Sequence, residues 1–253
     1  MVDQADVDVD SGTYAAYLLN PPYEHAEGRR VLIYRHTQDR SPELLFDSGS
    51  SRYPIAVGIS DWSDANQDGQ PDLIISYDCL CDGMCSQWSD AVQIDPDGKL
   101  VDILPIRVHE FKDLDQDGMP ELLLWDCREE MSGSDYAWGV SSFKIFAWLG
   151  PGSVRDISAQ YLHLYTENIE AKLGKVRETY QQQMDEWAAI DMMALAHGAL
   201  LDYENSGRRD EGWRIYWELT DPGHWPDLRQ KATQAITRRR ENLRVKYEAG
   251  LEF

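Results

Sequence analysis

The segment Asp64-Ala65-Asn66-Gln67-Asp68-Gly69-Gln70-Pro71-Asp72-Leu73 returns 49 residues later as Asp113-Leu114-Asp115-Gln116-Asp117-Gly118-Met119-Pro120-Glu121-Leu122. No other feature of the chain restricts its fold as much, because a chance cluster of acids has no reason to repeat its glycine, its proline and its spacing. In each copy, side chains bearing oxygen stand at positions 1, 3 and 5 of a short turn and converge on one point. A hard cation with about six to eight oxygen ligands requires that convergence, and calcium fits it best. Glycine at position 6, Gly69 and Gly118, lets the backbone bend sharply after the third ligand. The carbonyl of position 7 can then face the ion, and the carboxylate of position 9 closes the shell. The expected ligands of two calcium ions are therefore Asp64, Asn66, Asp68, Gln70 and Asp72 in the first loop, and Asp113, Asp115, Asp117, Met119 and Glu121 in the second.

An EF-hand would place a bidentate glutamate at position 12, where this chain has Ile75 and Leu124. The runs that follow, Leu73-Ile74-Ile75 and Leu122-Leu123-Leu124-Trp125, are too short for helices and suit buried strands. On these residues the chain resembles the FG-GAP or VCBS-type repeats of integrin alpha-chain propellers and of many exported bacterial proteins. The resemblance covers about residues 30–158. It implies a structural calcium ion in each loop, held between strands of a propeller blade. The upstream Phe-Gly-type signature of that family is matched only faintly, by Val57-Gly58-Ile59 and Val108-His109-Glu110-Phe111. Two loops are also fewer than a closed propeller of about four to eight blades needs.

Hairpin signals alternate with the loops. Val31–Tyr34 and Leu44–Phe46 form one pair. Val92–Ile94 and Leu100–Leu104 flank the turn Asp95-Pro96-Asp97-Gly98, and Phe143–Trp148 and Val154–Ile157 flank Gly150-Pro151-Gly152. These patterns predict an α+β protein whose β-rich domain, residues 1–157, holds two to three antiparallel, blade-like units. Their open edges need cover from the chain or from a partner.

A helical domain is predicted for residues 158–253. Ile169, Leu173, Val176, Tyr180, Met184, Trp187 and Ile190 recur at the period of a buried helix face, with a break expected near 181–185. Helices over Met192 to Tyr203 and Asp210 to Leu219 are separated by Ser206-Gly207, and a last one is expected from about 226 to 248. Tyr203, Gly207, Gly212 and Tyr216 give the stretch 192–219 a weak likeness to a tetratricopeptide helical hairpin. An ordinary helical hairpin explains the same spacing, since a lone repeat cannot bury its own face.

The formal charge is −21, and residues 1–126 carry 25 acids against 8 bases. Nothing concentrates Lys and Arg enough to neutralise phosphates, which argues against nucleic acid as a partner. No stretch approaches the roughly 18 to 20 apolar residues of a membrane span. The acidic start, with Asp3, Asp6, Asp8 and Asp10, is unlike a signal peptide. The expectation is nonetheless a periplasmic or extracellular protein whose leader has been removed, because structural calcium is commonest outside the cytosol. Cys79, Cys81, Cys85 and Cys127 allow two disulfides in three possible pairings, with a thiolate metal site as the rival and free thiols as a third reading.

Nine tryptophans and thirteen tyrosines exceed what a core of this size needs. Trp148, Trp187 and Trp213 are expected inside. Trp88, Trp138 and Trp225 lie in polar sequence that suits contact with protein or carbohydrate. The clustered acids are already committed to calcium, the histidines are scattered, and no nucleophile elbow, phosphate loop or His-Glu-x-x-His pair is present. The functional expectation is an exported calcium-binding protein whose metal-stabilised β repeats are a platform for another macromolecule, protein or carbohydrate. Two rivals are a cell-envelope polysaccharide hydrolase with the repeats as scaffold, and an inhibitor or immunity-type protein.

Overall fold

The computed structural model describes residues 2–10, 12–19, 29–37, 40–49, 55–78, 87–126, 142–180 and 186–221, with isolated positions beyond. The four cysteines, Trp138, Trp225, the side chain of Trp187 and the expected break near 181–185 lie outside the described residues, and of the expected helix at 226–248 only Thr237, Glu241 and Arg244 are described, each helical.

Twelve strands, a short 3-10 turn (Ser158–Tyr161) and three helices follow one another along the described chain. The class is α+β, with the strands in three four-stranded sheets. In the first, β1 (Val2–Val9), β2 (Gly12–Leu19), β3 (Arg30–His36) and β4 (Glu43–Asp47) lie in that order. The second runs β5 (Ile55–Ile59), β6 (Asp72–Asp78), β7 (Gln87–Ile94) and β8 (Leu100–Asp102). The third holds β9 (Glu110–Lys112), β10 (Glu121–Asp126), β11 (Ser142–Gly150) and β12 (Ser153–Asp156), again with neighbours in chain order. The chain divides into two compact units. One comprises Met1–Leu124 with Ile145–Asp156, the other Trp125–Lys144 with Ile157–Phe253.

Within the first unit the middle sheet has apolar residues on both faces, which explains the unbroken run Leu73-Ile74-Ile75. Leu73, Ile75, Tyr77 and Val92 join Ala5, Ala16, Leu18, Val31 and Ile33 of the first sheet in one buried cluster. Ile74 and Ala91 belong to a second cluster with Ile103, Leu104, Leu122 and Trp148. Tyr14 and Arg35 of the first sheet both donate to the Gly98 carbonyl in the β7–β8 turn, at 2.9 and 3.3 Å. All three expected hairpins are present. The hairpin of β1 and β2 is an addition that the hydrophobic runs alone do not announce. Trp88, expected at a contact surface, is instead buried, stacked on Tyr77 with ring centroids 5.7 Å apart and under Arg107 at 4.7 Å. The pairing of β6 with β7 sets Tyr77 directly opposite Trp88, and the two rings cover one another.

In the second unit α1 (Leu162–Tyr180) buries Tyr165, Ile169, Leu173 and Val176 along one stripe. Helix α2 (Glu186–Asn205) buries Met192, Met193, Ala196, His197, Leu200, Asp202 and Tyr203, and so has no solvent face along that stretch. It ends where Gly207 takes a left-handed φ of 78° and Arg208 N–H returns to the Tyr203 carbonyl at 2.7 Å. Helix α3 (Arg209–Leu219) brings Trp213 and Tyr216 onto α2. It approaches so closely that a Cβ on Gly212 would stand 2.5 Å from the Tyr203 Cβ. A buried polar net holds the segment 142–144 to these helices. Ser142 Oγ donates to Asp202 at 2.7 Å, Lys172 bonds the other Asp202 oxygen at 2.5 Å, and Tyr165 donates to the Phe143 carbonyl at 2.7 Å. Among the described residues no helix is long and apolar enough to cross a membrane.

Candidate metal centre

Both loops sit between an antiparallel pair of strands, β5–β6 for the first and β9–β10 for the second, as their flanking sequence predicts. Their backbones match. Position 4 has a positive φ in each, 56° at Gln67 and 64° at Gln116, and position 6 does too, 85° at Gly69 and 90° at Gly118. Gln67 and Gln116 are the only described residues other than glycine with positive φ. A left-handed glutamine is strained, and a tight turn that needs it twice at one position is a repeated structural requirement.

The polar bonds repeat as well. The N–H of Asp68 donates to Asp64 Oδ1 at 2.9 Å and Asn66 Oδ1 at 3.1 Å. That of Asp117 donates to Asp113 Oδ1 and Asp115 Oδ1, both at 3.2 Å. Gly69 and Gly118 donate to the second oxygen of Asp64 and Asp113, each at 3.0 Å. Gln70 N–H meets Asp68 Oδ1 at 2.9 Å, and Met119 N–H meets Asp117 Oδ1 at 2.7 Å. Position 1 thus ties the turn together while positions 3 and 5 fold over it.

Position 9 is the first residue of the following strand, and its carboxylate turns inward. Asp72 is fully buried, and its Oδ2 accepts the N–H groups of Ala65 at 2.9 Å and Asn66 at 3.3 Å. Glu121 is 7% exposed and accepts Leu114 N–H at 2.7 Å. Sequence reasoning missed Gln93. From β7 its amide donates to Asp68 Oδ2 at 2.7 Å and Asp72 Oδ1 at 3.0 Å, joining two expected ligands of the first loop. The only signal was a polar residue between Val92 and Ile94, which reads as the ordinary polar member of an alternating strand.

Oxygen atoms of Asp113, Asp115 and Asp117 all lie within 4.8 Å of one another. Oxygens bound to one calcium at about 2.3–2.6 Å are at most roughly 5 Å apart, so this group fits a single ion. Glu121 is outside that group. The first loop has an amide, Asn66, where the second has Asp115, and its Asn66 is buried where Asp115 is exposed. Burial raises the Asp72 carboxyl to about 6, against the lowering effect of the Asn66 and Ala65 N–H groups and of Gln93, and the charge of Asp68 raises it further. The acids of the first loop, Asp64, Asp68 and Asp72, do not gather as closely as those of the second, and a cation near Asp72 would offset both its burial and the charge of Asp68. The two loops are also neighbours, since a Cβ on Gly118 would lie 3.6 Å from Gln67 Nε2.

Other polar candidates are placed elsewhere. His197 is buried beside Tyr216, in keeping with a core histidine. Asp90 is half-buried on β7, its carboxyl raised by burial and by the charge of Asp102, and lowered by Arg107. No family model matches the chain, and comparison with curated proteins and with solved structures gives no significant match.

Proposed function

We propose that the two loops are calcium sites and that the chain is an exported protein whose metal-stabilised β unit serves as a platform for another macromolecule, a protein or a carbohydrate. One observation carries the reading. Two turns 49 residues apart share left-handed backbone at positions 4 and 6 and the same carboxylate-to-amide bonds, and one of them gathers three carboxylates within 4.8 Å. Three carboxylates held that close repel one another, and a divalent ion is the simplest compensation. Asp64, Asn66 and Asp68 would hold the first ion, with the buried Asp72 beside them. Asp113, Asp115 and Asp117 would hold the second, with Glu121 beneath. The Gln70 and Met119 carbonyls are the backbone candidates.

The ion's contribution is mechanical. It would fix the entry to β6 and to β10, strands that supply Leu73, Ile75 and Leu122 to the buried clusters. Metal binding and folding would then be coupled. In the same reading, the three four-stranded sheets with neighbours in chain order are blades of an open, propeller-like stack of the FG-GAP or VCBS kind. Calorimetry in EDTA and in millimolar calcium tests the proposal. Calcium is expected to raise the melting temperature of the β unit, and equal melting in both conditions would refute it.

A second reading, a polysaccharide hydrolase, draws on Asp90 and Asp102, which sit on adjacent strands with Asp90 held above the usual carboxylate range by burial. Release of reducing sugar by the protein, abolished in Asp90→Asn, would favour it over a binding platform.

A further inference from the structure

Strand β1 lies at one end of the order β1-β2-β3-β4, and among the described residues no strand pairs with its outer side. Its sequence alternates, with Asp6 and Asp8 set between Ala5, Val7 and Val9. The pairing with β2 assigns faces. Gln4 is opposite Tyr17, Asp6 opposite Ala15 and Asp8 opposite Thr13, and β3 extends these rows with Leu32, Tyr34 and His36. The other face, through Ala5, Ala16 and Ile33, belongs to the buried cluster shared with the second sheet. The edge therefore carries two exposed carboxylates, two residues apart, beside the half-buried rings of Tyr17 and Tyr34, which meet edge-on at 6.1 Å.

Asp6 accepts the Gln4 amide at 2.7 Å and Asp8 the Thr13 hydroxyl at 2.6 Å, and among the described residues neither stands in an ion pair. Trp62 donates its indole N–H to the Ala5 carbonyl at 3.2 Å, and beyond it the backbone from Asp6 to Val9 is bonded, among the described residues, only to β2. An open row of backbone donors and acceptors is a template for an added strand, and the side chains beside it select which strand. A second copy of β1 would set aspartates against aspartates, which disfavours self-pairing. The complement is cationic, and the excess of 25 acids over 8 bases in residues 1–126 would speed its approach.

We propose that the outer edge of β1 docks an extended segment of another protein in which Lys or Arg alternates with apolar residues. The basic side chains face Asp6 and Asp8, and the apolar residue between them falls on the Val7 side of the sheet. This rests on the reading of the β unit as a binding platform and names the chemistry of its partner.

The test is fluorescence anisotropy of the whole protein in millimolar calcium with three labelled octapeptides. One alternates lysine and valine, one has the same composition in two blocks, and one alternates but has proline for a central valine. The alternating peptide is expected to bind saturably, and the other two about tenfold more weakly or worse, because proline removes a ladder donor and the block sequence loses the register. The double variant Asp6→Asn, Asp8→Asn is expected to weaken the alternating peptide about tenfold. Equal affinity for all three peptides would mean charge attraction without strand pairing and would overturn the inference, as would no binding, or a folded double variant with undiminished affinity. Melting of the same samples with and without calcium reports on the platform reading separately. Calcium-dependent melting without peptide binding sinks this inference alone.

Discussion

Asp72→Asn is expected to reverse its effect on stability according to whether calcium is present. In metal-free protein the Asp72 carboxyl is fully buried and raised from 3.8 to about 6, chiefly by that burial. At pH 7.5 the folded protein therefore holds a charge that costs about 3 kcal/mol relative to the unfolded chain. Asparagine removes the charge and keeps an oxygen for the Ala65 and Asn66 N–H groups. Its amide nitrogen, however, would face the Gln93 amide, and losing or rearranging that bond costs about 1–2 kcal/mol. The net gain in EDTA is about 1–2 kcal/mol, a rise in melting temperature of roughly 3–6 °C for the unit that contains the loop. The sign also fixes a pH window. Since the folded pKa lies above the unfolded one, metal-free wild type loses stability as pH rises from about 4 to about 6, and the variant loses less. In saturating calcium the order inverts, because wild type gains about 2.7 kcal/mol at a hundredfold excess over Kd and the variant has lost an anion from the site. Paired calorimetry of both proteins in EDTA and in calcium reads all four values. A variant less stable than wild type in EDTA would refute the electrostatic account, and the same ranking in both conditions would refute the metal assignment.

Three further outcomes concern groups away from Asp72. Gly212→Ala should destabilise the helical unit by about 1–3 kcal/mol in urea denaturation despite alanine's better helix propensity, because the new Cβ would meet the Tyr203 Cβ at 2.5 Å; a stabilised variant would contradict that packing. Lys172→Met leaves the fully buried Asp202 without its cation and should cost about 3 kcal/mol, part of it recovered by adding Asp202→Asn; no recovery would mean that the lysine acts through packing alone. Burial holds the His109 imidazole below its usual range, so its contribution to the β unit is complete above about pH 6.5, where the unfolded chain titrates, and is lost as pH falls below that value and through the lower folded one. His109→Gln should flatten the stability profile between pH 7.5 and 5, and an unchanged slope would place the acid sensitivity elsewhere.

What could be read from the residues alone was whatever depends on local chemistry. The loops were legible because glycine at position 6 and acids at 1, 3 and 5 dictate a turn without help from the rest of the chain, and Gly69 and Gly118 take the left-handed backbone that the spacing demands. The Asp95-Pro96-Asp97-Gly98 hairpin and the Ser206-Gly207 helix end were legible for the same reason. What escaped depends on partners distant in sequence. Gln93 looks like the polar member of an alternating run, Val92-Gln93-Ile94, until pairing with β6 sets it opposite Asp72, 21 residues earlier. Trp88 lies in polar sequence and looks exposed, yet the same pairing puts it across from Tyr77, where the two rings bury each other. The β1 hairpin escaped for a subtler reason. Its alternation of aspartate with alanine and valine has the period of a strand, but only three small apolar residues, Ala5, Val7 and Val9, mark the buried side. Those residues are sufficient because Ala16 and Ile33 on the neighbouring strands complete the face. A strand so poor in apolar surface holds its place through the sheet beside it, and exposed acids that meet no cation among the described residues are consistent with an edge that keeps identical copies apart while remaining open to a cationic strand.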